Sequence, residues 1–166
     1  MEIKRVFDLL PLFANKNARP DALVAKENGQ WKKYSTADFI DYVDHLSYGL
    51  ANIGINKDDK VAIIANNRPE WNFADYATQQ CGAISVPIYP TISLKDLIFI
   101  LNDAQVKLVF VSSTELYEKV KEAAQQAPSV KFIYSFNEIK EVKNWKELYQ
   151  NGKTNPVKDK IEQIKA

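Results

Sequence analysis

Apolar and polar positions follow two rhythms along this chain, and the change of rhythm marks its elements. Val6, Phe7, Leu9, Leu10, Leu12 and Phe13 predict a short amphipathic helix, bent or interrupted near Pro11. Ala22–Lys26 and Gln30–Tyr34 are β-prone runs separated by Asn28-Gly29, two residues that accept positive φ, so a hairpin is expected. Ser35 then caps a helix, with Asp38 three residues on as a capping box. Phe39, Val43, Leu46, Leu50 and Ile53 recur at spacings of four and three on one stripe of that helix, and Gly54 stops it.

From Lys60 the pattern becomes that of buried strands alternating with helices. Lys60–Ala65 is a continuous apolar run, as in a strand covered on both faces. Asn66-Asn67-Arg68 form a turn, and Pro69 starts a helix where its missing N–H costs nothing. That helix turns Trp71, Phe73, Ala74 and Ala77 inward and ends at Gly82. Ile84–Ile88 is the next strand, placed near an edge or a bend by Pro87. Ser93 caps a helix with Asp96 in a capping box, and Leu94, Leu97, Ile98 and Leu101 form its stripe. Lys107–Val111 is a strand, Ser112-Ser113-Thr114 lead into a helix through Leu116, Val120 and Ala124, and Val130–Tyr134 is a strand after Pro128. A last short helix holds Trp145 and Leu148.

This order predicts an α/β fold: a parallel, flavodoxin-like or Rossmann-like sheet flanked by helices, with a small N-terminal hairpin. Residues 1–150 are expected to form one α/β subdomain. Residues 151–166, where the chain turns polar, are expected to be a linker or a poorly ordered tail.

Composition narrows the function classes. The 166 residues are 46% hydrophobic, enough for a real core, and carry a net charge of +1. That balance gives no electrostatic drive toward nucleic acid. Lys153, Lys158, Lys160 and Lys165 are interleaved with Asp159 and Glu162, the pattern of a solvated stretch. The single cysteine, Cys81, sits among small residues and reads as a buried thiol, with the only histidine, His45, on a different helix. No apolar run approaches the ~20 residues of a membrane span, and the start, Met1 to Arg5 followed by Asp8 and Pro11, is a poor signal peptide. A cytoplasmic protein is expected. Val6–Phe13 could touch a membrane surface or pack on its own domain; a polar face poor in Lys and Arg favours packing.

The chemistry-bearing residues are few. The five glycines make neither G-x-G-x-x-G nor a Walker loop, and one Cys with one His cannot supply a zinc shell. Polar residues do collect where the predicted parallel strands end, the edge at which such sheets bind ligands. Arg68 there either meets an anion or pairs with Glu70 or Asp75; Ser112, Ser113 and Thr114 either donate to a ligand or cap the next helix; Tyr89-Pro90-Thr91 stands at a third strand end. In each case the structural role is favoured.

Two stretches carry a family resemblance. Arg68-Pro69-Glu70-Trp71, then Gln80-Cys81-Gly82-Ala83-Ile84-Ser85-Val86-Pro87-Ile88-Tyr89-Pro90-Thr91, resemble the N-terminal region of long-chain acyl-CoA synthetases of the adenylate-forming, AMP-binding superfamily. Lys33-Tyr34-Ser35 resembles the Leu-Thr-Tyr-x-Glu entry to the family's first long helix, although Thr36-Ala37-Asp38 departs from the usual Glu-Leu pair. The resemblance implies a ligase that activates a fatty acid with ATP as acyl-AMP and passes the acyl group to coenzyme A, with Mg2+ neutralising the phosphates. It implies a phosphate loop ending Pro-Lys-Gly shortly after a segment like 151–166, ribose-gripping Asp and Arg residues, and a lysine in a mobile C-terminal domain. None of these has a matching position here, so no catalytic, cofactor-binding or metal residue is carried over. Ser112 and Ser113 stand where some short-chain relatives place arginines for coenzyme A.

The expected protein is therefore an N-terminal part of a long-chain fatty-acid–CoA ligase, itself inactive and binding no cofactor. Its apolar docking face would favour self-association, and a peripheral contact with the inner membrane face is open to it. The alternatives are a free-standing, non-catalytic α/β binding or interaction module, or an adenylate-forming ligase for another carboxylic acid.

Overall fold

A computed structural model describes residues 3–27 and 29–165. A 3-10 turn (Val6–Asp8) leads into α1 (Leu9–Lys16). Pro11 neither bends nor interrupts this helix. It sits in the first turn, where backbone N–H groups have no intrahelical partner, so its ring removes no bond. Phe7 and Leu10 are buried against the domain, which is the packing reading of this segment.

The hairpin forms as β1 (Leu23–Glu27) and β2 (Gln30–Tyr34), antiparallel with Glu27 opposite Gln30. Gly29 has φ +81°, while Asn28 lies outside the described residues. Next comes α2 (Thr36–Asn52), held at its start by the reciprocal Ser35–Asp38 capping box and followed by Gly54 at φ +88°.

The main sheet contains β3 (Lys60–Ile64), β4 (Ile84–Ile88), β5 (Val106–Val111), β6 (Phe132–Ser135) and the two-residue β7 (Lys143–Asn144). Its order is β4-β3-β5-β6-β7 and every pairing is parallel. Reading only these five strands, that is the 2-1-3-4-5 order of flavodoxin-like folds. Pro87 lies on β4, an edge strand, where its missing N–H is tolerated. Between the strands run α3 (Pro69–Gln80), α4 (Leu94–Asp103) and α5 (Thr114–Ala124), and after β7 come α6 (Trp145–Thr154) and α7 (Lys158–Lys165).

Alternate residues of the central strands feed two cores. Val61, Ile63, Leu108 and Phe110 pack with α2, α3 and α6 on one face, whereas Ala62, Ile64, Val109 and Val111 pack with α4 and α5 on the other. Both faces are covered, which is why β3 and β5 read as unbroken apolar runs. At α4, Ser93 accepts from the Asp96 N–H and its hydroxyl donates to the Asp96 carboxylate, so the expected box closes through side chains instead of the Ser93 N–H.

The polar stretch expected as a linker or a disordered tail is neither. Residues 151–154 complete α6, and α7 packs on α2 and α3 with Ile161 fully buried and Val157 and Ile164 beside it. Arg5 donates to the Lys165 carbonyl, joining the two ends of the described chain. Val157, Ile161 and Ile164 are spaced by four and three, a helical stripe diluted by the charges around it.

Candidate functional site

Of the polar strand-end candidates, Arg68 and its neighbour Asn67 line a cleft of about 970 Å³ between the hairpin, the loop after β3 and the loop after β6. Its walls include the aromatic side chains of Tyr34, Tyr42, Phe136 and Trp145, with Asn67, Asn72 and Asn137 among the polar ones. This is the carboxyl edge of the sheet, close to the point where strand order reverses.

Arg68 is at this cleft, and its donors are committed. Nε and Nη2 donate to the two Glu70 carboxylate oxygens at 2.9 and 3.1 Å, and Nη1 donates to Asn137 Oδ1 at 2.9 Å. The guanidinium also lies 5.3 Å from the Phe136 ring centroid. One side chain thus ties the start of α3 to the loop after β6. Asn137 in turn donates to the Ser112 carbonyl, and Asn144 donates to the Asn137 carbonyl at 3.1 Å. The pairing with Glu70 is the structural role anticipated for Arg68; Asp75 is engaged elsewhere, by Gln79 at 2.9 Å.

A second polar group lies under the hairpin. Glu27 accepts from the Tyr34 hydroxyl at 2.9 Å and from Lys32 Nζ at 3.3 Å. Burial raises the Tyr34 pKa to about 12. Burial also pushes Glu27 upward, but the bonds from Tyr34 and Lys32 outweigh it and hold the carboxyl below its ordinary value. Lys32 is held cationic above its ordinary value, chiefly by its hydrogen bond with Tyr34. Near neutral pH the trio is therefore phenol, carboxylate and ammonium, a fixed network.

The remaining candidates disperse. Ser113 caps α5 by accepting from the Leu116 N–H, Thr114 is that helix's first residue, and Ser112 is buried with its carbonyl engaged by Asn137. Tyr89 is exposed at the end of β4 and does not line the cleft. His45 Nδ1 lies 2.9 Å from the Asp41 carbonyl and 3.2 Å from its carboxylate, edge-on to Tyr48 and Tyr149. Cys81 is fully buried and donates to the Ser47 carbonyl at 3.1 Å; burial pushes its pKa up to about 12, so the thiol is protonated at neutral pH. Among the described residues, no three His, Cys, Asp or Glu side chains gather as a metal site, and no helix is long and apolar enough to cross a membrane.

Sequence reading missed Asn137 and Asn144, which bind the cleft's loops together. Asn144 had a signal: it begins Asn-Trp-Lys-Glu, and Glu147 returns to the Asn144 N–H at 3.0 Å as a capping box opening α6. Asn137 had none, because its partners lie in the loops after β3 and β5 and in β7.

The model of a family described as AMP-binding enzyme matches residues 12–164. This chain belongs to the AMP-binding enzymes. Among curated members, the long-chain-fatty-acid–CoA ligase ACSBG2 of Xenopus laevis is 27% identical over 147 residues, covering 86% of this chain and 20% of that protein. Long chain acyl-CoA synthetase 3 of Arabidopsis thaliana is 31% identical over 109 residues, covering 66% of this chain and 16% of that protein. The chain thus spans about a fifth or less of these members' length. Among solved structures, a protein of Rhodopseudomonas palustris taken to be a long-chain-fatty-acid CoA ligase superposes with a TM-score of 0.75 at 22% identity, covering 87% of this chain and 36% of that one. The anthranilate CoA ligase AuaEII, solved with anthranoyl-AMP, gives 0.74 at 15% identity over 89% of this chain and 27% of its own. At such identities the structures establish the fold, that of adenylate-forming CoA ligases. The family match runs through α7, so residues 151–164 belong to the domain.

Proposed function

We propose that this chain is the N-terminal segment of a long-chain fatty-acid–CoA ligase and that the segment alone catalyses neither half-reaction. In the first half-reaction the fatty carboxylate attacks the α-phosphate of ATP, giving acyl-AMP and pyrophosphate. In the second the coenzyme A thiol displaces AMP. The observation that carries this reading is the family match over 12–164, joined to curated relatives named as long-chain ligases of which the chain spans a fifth or less.

The residues present do not fit an ATP–Mg2+ site. Gly29, Gly54 and Gly82 serve turns at positive φ, and Gly49 and Gly152 serve a helix crossing, so no glycine remains to open a phosphate loop. Of the acidic groups at the cleft, Glu70 is engaged by Arg68 and Glu27 by Tyr34 and Lys32, and Glu138 lies 3.9 Å from Lys146 Nζ. The segment's part is structural: it supplies a sheet and a rigid cleft wall, on which chemistry contributed by other regions would be assembled. The apolar docking face this implies has Ile84, Tyr89 and Phe99 as its exposed large side chains in β4, α4 and the turn between them.

The test is to read the source gene beyond the codon for Ala166, express the longer product and measure pyrophosphate exchange with palmitate, acetate and a benzoate. Palmitate-dependent exchange supports the reading. A preference for the benzoate moves the protein to an aryl-acid ligase, and exchange by residues 1–166 alone refutes the inactivity of the segment. A stop codon after Ala166 makes a non-catalytic binding module the working function.

A further inference from the structure

We infer that α7 and the N-terminal turn form one strap, which opens as a unit over the junction of α2 and α3 while the sheet stays folded. Six of the eight residues of α7 are polar. Ile161 is its one fully buried side chain, and Ile164 and the preceding Val157 are only partly buried. These three dock the helix on α2 and α3. Their burial is small against the conformational entropy of ordering eight residues, so the margin holding α7 closed is narrow. A single buried anchor also makes the opening cooperative: when Ile161 leaves its site the whole helix leaves.

The N-terminal turn is the strap's other half. Arg5 donates to the Lys165 carbonyl and is itself held by Asp8 at 3.1 Å, so the turn closes on the helix. Between the two lies a cleft of about 730 Å³, with Asp44 and Gln80 also in its wall. Gln80 is 5% exposed, and its Oε1 has no hydrogen-bond partner among the described residues. A buried acceptor left unmet penalises the closed state, and water meets it once the strap lifts. Cys81 marks what the strap covers. A Cβ on the adjoining Gly82 would stand 2.9 Å from Ile164 Cγ2, so α7 lies directly on the end of α3. Burial dominates the Cys81 pKa, and the two cations that act against it, Lys160 and Lys165, are both on α7. Lifting α7 therefore bares a thiol that is fully buried when the strap is closed. The inference goes beyond the ligase reading and stands whether or not that reading does.

The experiment exposes the 166-residue chain to an excess of an aromatic disulfide at increasing urea concentrations. The Cys81 thiol loses its proton to solvent and the thiolate attacks one sulfur of the reagent. The reagent's S–S bond breaks, a mixed disulfide forms on Cys81, and the aryl thiolate that leaves is measured by its colour. Labelling without urea is expected, at a rate nearly independent of urea below the unfolding transition, because lifting the strap exposes little surface. Ile161→Ala should speed labelling about 100-fold and Arg5→Ala about fivefold. Val109→Ala, in the core on the opposite face of the sheet, should lower the urea midpoint of unfolding and leave labelling without urea unchanged. Should Ile161→Ala fail to fold by far-UV circular dichroism, Ile164→Ala replaces it, with a rise of about tenfold expected. The inference is overturned if labelling of the parent climbs with urea from the first addition as steeply as global unfolding does. It is equally overturned if Val109→Ala speeds labelling as much as the α7 variant, or if Arg5→Ala is labelled no faster than the parent.

Discussion

Substituting Gly152 by alanine should cost stability although it improves helix propensity. Gly152 lies in α6 where that helix crosses α2. A Cβ built there would stand 1.8 Å from the His45 carbonyl oxygen and 2.6 Å from the Gly49 nitrogen, whereas real Cβ atoms essentially never come inside 3.0 Å. On the facing helix, a Cβ at Gly49 would stand 2.0 Å from the Leu148 carbonyl oxygen. These neighbours are backbone atoms and cannot swing aside, so α6 has to retreat by about 1 Å in an interior packed like a crystal. That retreat loosens Trp145 and Leu148, both buried in the core, and the ring contact of Tyr42 with Tyr149 at 4.9 Å. Overpacking of this kind costs up to about 3 kcal/mol, against about 1 kcal/mol gained from alanine in a helix. The net loss of about 2 kcal/mol corresponds to a fall of about 4–8 °C in Tm for a chain of this size. Urea unfolding followed by far-UV circular dichroism would measure it. If Gly152→Ala were as stable as the parent or more so, the helices would not approach this closely, and the account of α6 as part of the folded domain would fail.

Arg68→Met should destabilise by about 2 kcal/mol, because it strands the buried Glu70 carboxylate, while Arg68→Met/Glu70→Met should recover part of that loss in the same unfolding assay. Alkaline stability carries its own signature. Cys81 and Tyr34 have folded pKa values of about 12 against ordinary values of 9.0 and 10.0, so between those limits the unfolded chain has released protons that the folded chain keeps. The stability from these groups is complete below about pH 9 and is lost as pH rises toward 12. Urea midpoints should therefore fall above pH 9, and Cys81→Ala should flatten the early part of that slope; an unchanged slope would remove the thiol from the account. ATP with magnesium should leave the Tm of the 166-residue chain unchanged, and a rise with ATP concentration would reveal a phosphate site outside this description.

Local rules carried most of the fold. The stripes of α2 and α4, the Ser35 and Ser113 caps, Pro69 opening α3 and the continuous runs of β3 and β5 are legible because each depends on residues within a few positions of one another. The Arg68-Pro69-Glu70-Trp71 and Val86-Pro87-Ile88-Tyr89 signatures likewise sufficed for the family. The ends of the chain were harder. Pro11 was read as a helix breaker because its effect depends on which turn it occupies, and α7 was read as solvated because six of its eight residues are polar and only its Ile161–Ile164 spacing signals burial.

What the tertiary structure alone decided is the use of residues whose partners are remote in sequence. The order β4-β3-β5-β6-β7 put the loops after β3 and β6 on one cleft and brought Arg68 to Asn137, 69 positions away. It left Tyr89 outside that cleft. Gly49 and Gly152 looked like unremarkable helix and linker residues until α2 and α6 crossed through them. Hydrophobic periodicity records which face of an element is buried but not which element will cover it; that partner is set by chain connectivity and close packing, which no local window contains.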